Sequence, residues 1–143
     1  MANPITIREL GPEDVHVLER VREGTFDNPV ELTLAYAFLA TGVNELVVAL
    51  SLGEVIGFAS GTALMHPDKP TGFVINEVGV HEDFQRQGIG RRLLECIIDV
   101  ARSRGCHGIW LGTELQNVPA RELYRKSGGE EMKGVFYGWD DAF

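Results

Sequence analysis

The stretch Gln85-Arg86-Gln87-Gly88-Ile89-Gly90-Arg91-Arg92 interleaves glycines with arginines where one apolar run ends and an amphipathic run begins. The run before it is Phe73 to Val80, and the run after it is Ile89 to Arg104. A strand, a glycine-rich turn and a helix start, in that order, can hold phosphate. Helix N-termini present unpaired backbone N–H groups and the positive end of the helix dipole. Gly88 and Gly90 remove side chains where a diphosphate would approach the backbone, and Arg86, Arg91 and Arg92 add complementary charge. The spacing excludes two commoner phosphate loops. Arg91-Arg92 stands where a Walker loop has Lys-Ser/Thr, and Leu93 where the dinucleotide fingerprint has its third glycine or alanine. What remains is Q-x-x-G-x-G. A turn that only shapes a helix entry would carry the same glycines, so the rest of the chain decides.

The elements around this loop follow from hydrophobic period and punctuation. Ile5, Ile7 and Leu10 alternate with polar residues as a first strand. Gly11-Pro12-Glu13-Asp14 predicts a helix over 12–23, Pro12 suiting its first turn and the two acids its positive end. Asp27-Asn28-Pro29 breaks the chain before a second helix over 30–40. Glu45 to Leu50 and Glu54 to Leu64 form a hairpin through Ser51-Leu52-Gly53, with Gly57 and Gly61 marking a bulge or a close backbone approach. Phe73 to Val80 is the central strand. Helix 89–104 carries Ile89, Leu93, Cys96/Ile97 and Val100/Ala101 on one face and ends at Gly105. It joins the central strand to a strand over 108–113, which a right-handed crossover makes parallel to it. Asn117-Val118-Pro119 starts a last helix, to about Lys126, stopped by Gly128-Gly129, and Val135 to Trp139 reads as a final strand.

Composition bounds the function. A chain of 143 residues with 44% hydrophobic and 24% charged residues is one α/β domain with a sizeable core. No apolar run approaches the ~20 residues of a membrane span, and Met1-Ala-Asn-Pro lacks the parts of a signal peptide. Only Cys96 and Cys106 are present, which suits packing in the cytoplasm rather than a disulfide framework. A formal net charge of −8 disfavours nucleic acid and suits a cationic small molecule. The histidines, His66, His81 and His107 among them, show neither a metal-ligand spacing nor a partnered nucleophile. Trp110, Phe136, Tyr137 and Trp139 read as core or edge aromatics, with Phe136 or Tyr137 also suited to line a pocket.

Glu77-Val78-Gly79-Val80, Gln85-x-x-Gly-x-Gly, a helix, a strand ending Trp110-Leu111-Gly112-Thr113, Asn117, Leu123-Tyr124 and Gly128 occur in one order. This succession resembles the GCN5-related N-acetyltransferase (GNAT) family from about residue 45 onward. The acid-x-x-Val ending of the central strand looks most like the subgroup of aminoglycoside 3-N-acetyltransferases. The resemblance implies one GNAT-like domain over 1–143: a mixed, mostly antiparallel central sheet of six or seven strands flanked by about four helices. The family usually has two substantial strands after its last helix, and here only Val135 to Trp139 is convincing. Glu130 to Lys133 is a short strand or a connection, which leaves open the C-terminal edge and any homodimer built on it.

By the same resemblance, acetyl-CoA is the donor and an amine is the acceptor, with no metal, nucleic acid or membrane involved. Val78, Gly79 and Val80 would meet the pantetheine arm. Gln85, Arg86, Gln87, Gly88, Ile89, Gly90 and Arg91 would take the pyrophosphate, and Asn117 would add a cofactor contact beside its capping role. An alkyl amine of pKa near ~10 must lose a proton before it attacks, so a base is needed. Glu77 is the first candidate, directed opposite to Val78 unless a bulge intervenes, and Glu114 is the second. The departing thiolate, with a conjugate thiol near ~8.5, calls for a proton donor, and Tyr124 stands where the family's general-acid tyrosine stands. The acceptor implied is a small cation such as an aminoglycoside or polyamine. A protein N-terminus or lysine is the alternative acceptor, and a non-catalytic acyl-CoA-binding module the alternative class.

Overall fold

A computed structural model describes residues 3–143, which divide after Gly112 into two compact units. The first unit is built on a five-stranded sheet in the order β1-β2-β3-β4-β5: Ile5–Leu10, Asn44–Ser51, Glu54–Leu64, Gly72–Val80 and Ile109–Trp110. β1 to β4 are antiparallel neighbours, and β5 runs parallel to β4, as the crossover through helix α2 (Ile89–Ser103) predicts. The β2–β3 hairpin turns on Leu52 and Gly53, at φ 49° and 77°, so its short loop matches the strand twist.

Each face of the sheet buries one group of side chains. A Cβ placed on Gly57 would lie 3.1 Å from Leu93, which puts α2 on the face that carries Gly57, Ala49, Ala59 and Val47. On the other face, Leu46, Val48 and Phe58 cluster with Leu18 of the 3-10 helix Pro12–Glu19 and Leu39 of α1 (Leu32–Ala40). The first helix is therefore shorter than its expected 12–23. Beyond Glu19 the chain is drawn into extension along β3: Val21 bridges Val55, Val55 N–H donates to Arg20, and Arg22 N–H donates to Val55. α2 buries Ile89, Leu93, Leu94, Ile97, Val100 and Ala101, the face read from its period.

Its C-terminus is closed by Gly105 at φ 83°, with Gly105 N–H bonded to Arg102 and Cys106 N–H to Ala101. The adjoining Arg104 donates to Glu45 at 2.9 Å and to Glu9 at 2.6 Å, tying the helix end to β2 and β1. Glu45 is buried, so Arg104→Met leaves a carboxylate without its partner. The expected loss is about 1–2 kcal/mol of unfolding free energy, measured by urea denaturation at neutral pH.

The second unit contains α3 (Val118–Lys126), capped by the Asn117 side chain and by Gly128 and Gly129 as expected. Arg121 and Arg125 both bind Glu131, at 2.7 and 2.8 Å. Val135 to Trp139 is not a strand, which corrects the reading of a sixth strand. An extended segment needs a partner to satisfy its ladder, and the described residues of this unit contain no strand. Phe136, Tyr137 and Trp139 are exposed rather than core, and Trp110 at the sheet edge is likewise half-exposed. β5 extends over Ile109–Trp110 only, not 108–113. No helix is long and apolar enough to cross a membrane among the described residues.

Candidate active site

β4 carries one extra residue. Gly61 pairs with Ile75 and Ser60 with Glu77, so Asn76 is bulged out of the ladder. The cause lies partly opposite, where a Cβ on Gly61 would stand 2.3 Å from the Phe73 ring, a close approach that only glycine permits. Strict alternation from the buried Phe73 and Ile75 would send Glu77 to the α2 face. The bulge instead places it on the face of its cross-strand partner Ser60, shared with Phe58 and Leu46, and away from α2. Val78 and Val80 then face the α2 side. The bulge thus separates an acid from the apolar residues beside it.

β5 pairs with β4 only at Phe73 and Val74. Beyond that point the outer edge of β4 has no strand partner among the described residues. The His81 N–H donates to Ile56 on β3, so the backbone groups of Val80 and Val78 point to the open edge. The Gln85 side chain occupies the Val80 carbonyl at 3.0 Å and closes the turn, while the Val78 donor and acceptor meet no partner among the described residues. An extended ligand with amide groups can pair there as an added strand.

The loop continues from that edge. Arg86 adopts φ 62° and Gly88 φ 77°, and α2 starts at Ile89. None of the backbone N–H groups from Arg86 to Arg91 donates to a partner among the described residues; the first that does is Arg92, to Gly88. Unpaired donors at a helix start, with the helix dipole behind them, are the kind of group that can accept an anion. Arg91 is engaged with Glu95 at 2.9 Å and Arg92 with the Ile5 carbonyl, which leaves Arg86 as the loop arginine whose side chain has no bonded partner among the described residues. Gly88→Ala meets no atom within 4 Å but must hold a left-handed φ. It is expected to cost about 1 kcal/mol in stability and to weaken acetyl-CoA binding several-fold by calorimetry.

The segment between the 3-10 helix and α1 lies over the same face as Glu77. Phe26 stacks on Phe58 with ring centroids 3.9 Å apart, and a Cβ on Gly79 would meet Phe58 at 3.1 Å and the Thr25 carbonyl at 3.4 Å. His81 fastens it further: Nε2 donates to the Glu23 carbonyl at 2.9 Å while Nδ1 accepts from Asp83 N–H. Thr25 is buried, and its hydroxyl has no partner among the described residues. Burial, and then the charge of Asp27, push the Glu77 carboxyl above its usual range. A raised carboxylate is a better base near neutrality. Asp27 was not singled out in the sequence, where Asp-Asn-Pro reads only as a break; nothing local connects it to Glu77.

In the second unit the Asn117 side chain accepts from Ala120 N–H at 3.3 Å, and Glu114 accepts from Gln116 at 3.1 Å while remaining exposed. Tyr124 is half-buried on α3, and burial raises its phenol above the ordinary value. Cys96 and Cys106 are free, and burial, the largest cause for each, raises both thiols, so neither is an activated nucleophile. No group of three or more metal-ligating side chains occurs among the described residues.

Comparisons with known proteins identify the family. A family model described as the acetyltransferase (GNAT) family matches residues 15–129. The chain is similar to an aminoglycoside N(6')-acetyltransferase type 1 of Stenotrophomonas maltophilia, 30% identical over 96% of this chain and 94% of that protein. It is also similar to an N-alpha-acetyltransferase, RimI, of Mycobacterium tuberculosis, 31% identical over 90% of this chain and 80% of that one. Against an uncharacterised Mycobacterium leprae protein at 31% identity, this chain spans only 35% of the length. Among solved structures, an aminoglycoside N-acetyltransferase AAC(6')-Iy in complex with CoA superposes with a TM-score of 0.80, covering 99% of this chain and 98% of that one at 16% identity. The positions named for these aminoglycoside enzymes are 6', so the narrower likeness to 3-N enzymes has no counterpart among them.

Proposed function

Because the chain belongs to the acetyltransferase (GNAT) family, whose members pass an acetyl group from acetyl-CoA to an amine, we propose that residues 1–143 act as one acetyltransferase domain on a small cationic amine of the aminoglycoside or polyamine kind. The Asn76 bulge carries this reading, because it turns Glu77 off the α2 face while the adjoining β4 edge keeps free backbone groups. Val78 and Val80 pair with the pantetheine amides, Gly79 lets the Phe26–Phe58 stack approach, and the N–H groups of Arg86 to Arg91, with the Arg86 guanidinium, hold the pyrophosphate. Gln85 shapes the turn, and Asn117 adds a cofactor contact with its remaining amide hydrogens.

The reaction is one displacement in a ternary complex. Glu77, directly or through a water, takes a proton from the ammonium, and the freed amine attacks the thioester carbonyl. As the tetrahedral intermediate collapses, the C–S bond breaks, the Tyr124 hydroxyl gives its proton to the sulfur, and the remaining excess proton on the acylated nitrogen returns to the tyrosinate. Glu114 is held as a second site for cation binding. Asp27 favours cationic acceptors and favours the proton on Glu77, which suits a base that must take one from an ammonium. The net charge of −8 argues against nucleic acid as partner. Free Cys96 and Cys106 suit the cytoplasm, and the exposed Phe136, Tyr137 and Trp139 suit contact with a second copy.

The test is acetyl-CoA turnover, followed as free thiol, against aminoglycosides, polyamines, amino acids and N-terminal peptides, beside calorimetric binding of acetyl-CoA. Turnover with aminoglycosides or polyamines supports the acceptor class. Turnover with peptides alone replaces it with a protein acceptor, and tight binding without turnover on any amine favours an acyl-CoA sensor.

A further inference from the structure

The bulge that directs Glu77 is held from outside its own strand. Asn76 is the extra residue of β4, so β3 offers it no register partner, and its side chain is what fastens it. The Asn76 amide donates to the Thr62 hydroxyl at 2.9 Å, and that hydroxyl donates to Asn44 Oδ1 at 2.8 Å. Asn44 in turn donates to the Phe38 carbonyl, in the last turn of α1, at 3.2 Å. The Thr41 hydroxyl donates to the same carbonyl at 3.1 Å and accepts from the Asn44 N–H, so this end of the chain is itself braced. One run of hydrogen bonds thus crosses β2, β3 and β4 from α1 to the residue beside Glu77.

Thr62 is the link on which the run depends. It is a cross-strand partner of Asn44 on one side and of Val74 on the other, so its hydroxyl stands on the face that the bulge gives to Glu77. Its hydroxyl accepts from Asn76 and donates to Asn44, and among the described residues no other side chain bonds to Asn76. A bulge that moved past Glu77 to Val78 would pair Glu77 with Ala59 and so return it to the α2 side.

We propose that Thr62 is a positioning residue for catalysis, acting through the Asn76 bulge to keep Glu77 on the acceptor face. This rests on Glu77 being the base, as proposed above.

The test uses the full chain with acetyl-CoA and either spermidine or kanamycin. Thr62→Val keeps the shape and loses both bonds, whereas Thr62→Ser keeps both. Thr62→Val is expected to lower kcat about tenfold with the KM for acetyl-CoA within about twofold, and Thr62→Ser to stay within about twofold of the parent. In a Glu77→Gln background, Thr62→Val should lower kcat no further, because the residue it positions is already gone. Full activity in Thr62→Val, or an undiminished tenfold loss in the Glu77→Gln background, overturns the proposal. If Thr62→Val does not fold, Asn76→Ala, at an exposed position, is read in the same way. A crystal structure of either variant with the bulge and Glu77 unmoved also overturns it, whatever the turnover. Wild-type kcat in Glu77→Gln alone removes the base and this inference together, whereas a loss there with Thr62→Val unaffected removes this inference only.

Discussion

Glu77→Gln is expected to lower kcat by about 10²–10⁴-fold while acetyl-CoA affinity stays within about twofold, the range general-base catalysis supplies. The acceptor must lose a proton in the step, and glutamine matches the size of the side chain but cannot take one. The pH dependence gives a sharper check. The active form of the base is the carboxylate, so kcat/KM falls as pH drops through the Glu77 pKa. Burial and then Asp27 raise that pKa, so the acid limb lies above the ordinary ~4.3 of a glutamate. Asp27→Asn removes the smaller cause, and the limb moves to lower pH without reaching the ordinary value. An acid limb unmoved by Asp27→Asn assigns it to another group.

Stability provides the control. The folded state holds the Glu77 proton more tightly than the unfolded chain, so between the two pKa values it binds more protons. Stability therefore falls as pH rises through that window, the reverse of a salt-bridged carboxylate. At neutral pH Glu77→Gln removes a charge that burial disfavours, and its melting temperature should not drop. A large loss of kcat with no loss of stability separates chemistry from folding.

The sequence shows Glu77 as a candidate but not the direction in which it points. The phosphate-type loop, α2, its Gly105 cap and the Gly128-Gly129 stop are all legible because each is fixed by neighbouring residues. A helix period, a capping glycine and a glycine-rich turn act over a few positions of chain. The Asn76 bulge is fixed by pairing with β3, by the approach of Phe73 to Gly61, and by the hydrogen bonds from Thr62 to Asn44. None of these is local in sequence. Gly61 signals a close approach or a bulge, yet its partner strand cannot be assigned from it. The 3-10 helix Pro12–Glu19 stops early for the same kind of reason, since Val55 captures Arg20 and Arg22 through the backbone. Val135 to Trp139 errs in the other direction. Its residue types favour a strand, but propensity supplies no ladder partner, and the segment stays irregular.

Tyr124→Phe is expected to lower kcat about 10²-fold, at the lower end of general-acid contributions, with acetyl-CoA binding unchanged by calorimetry. Phenylalanine keeps the ring that α3 half-buries, and the helix end is fixed independently, since Gly129 N–H bonds to the Tyr124 carbonyl and Gly128 N–H to Arg125. The fold should therefore survive the change. Burial raises the phenol above its ordinary ~10, so it remains protonated, and able to donate, across the whole neutral range. What distinguishes a proton donor from a packing residue is the leaving group. The thiolate of coenzyme A is basic enough to need a proton as the C–S bond breaks. An acetyl thioester of a more acidic thiol, such as an aryl thiol joined to the same pantetheine chain, leaves without one. The penalty of Tyr124→Phe should shrink toward unity with such a donor if Tyr124 protonates the sulfur. A penalty of the same size with both donors removes Tyr124 from the chemistry and leaves it a packing residue of α3.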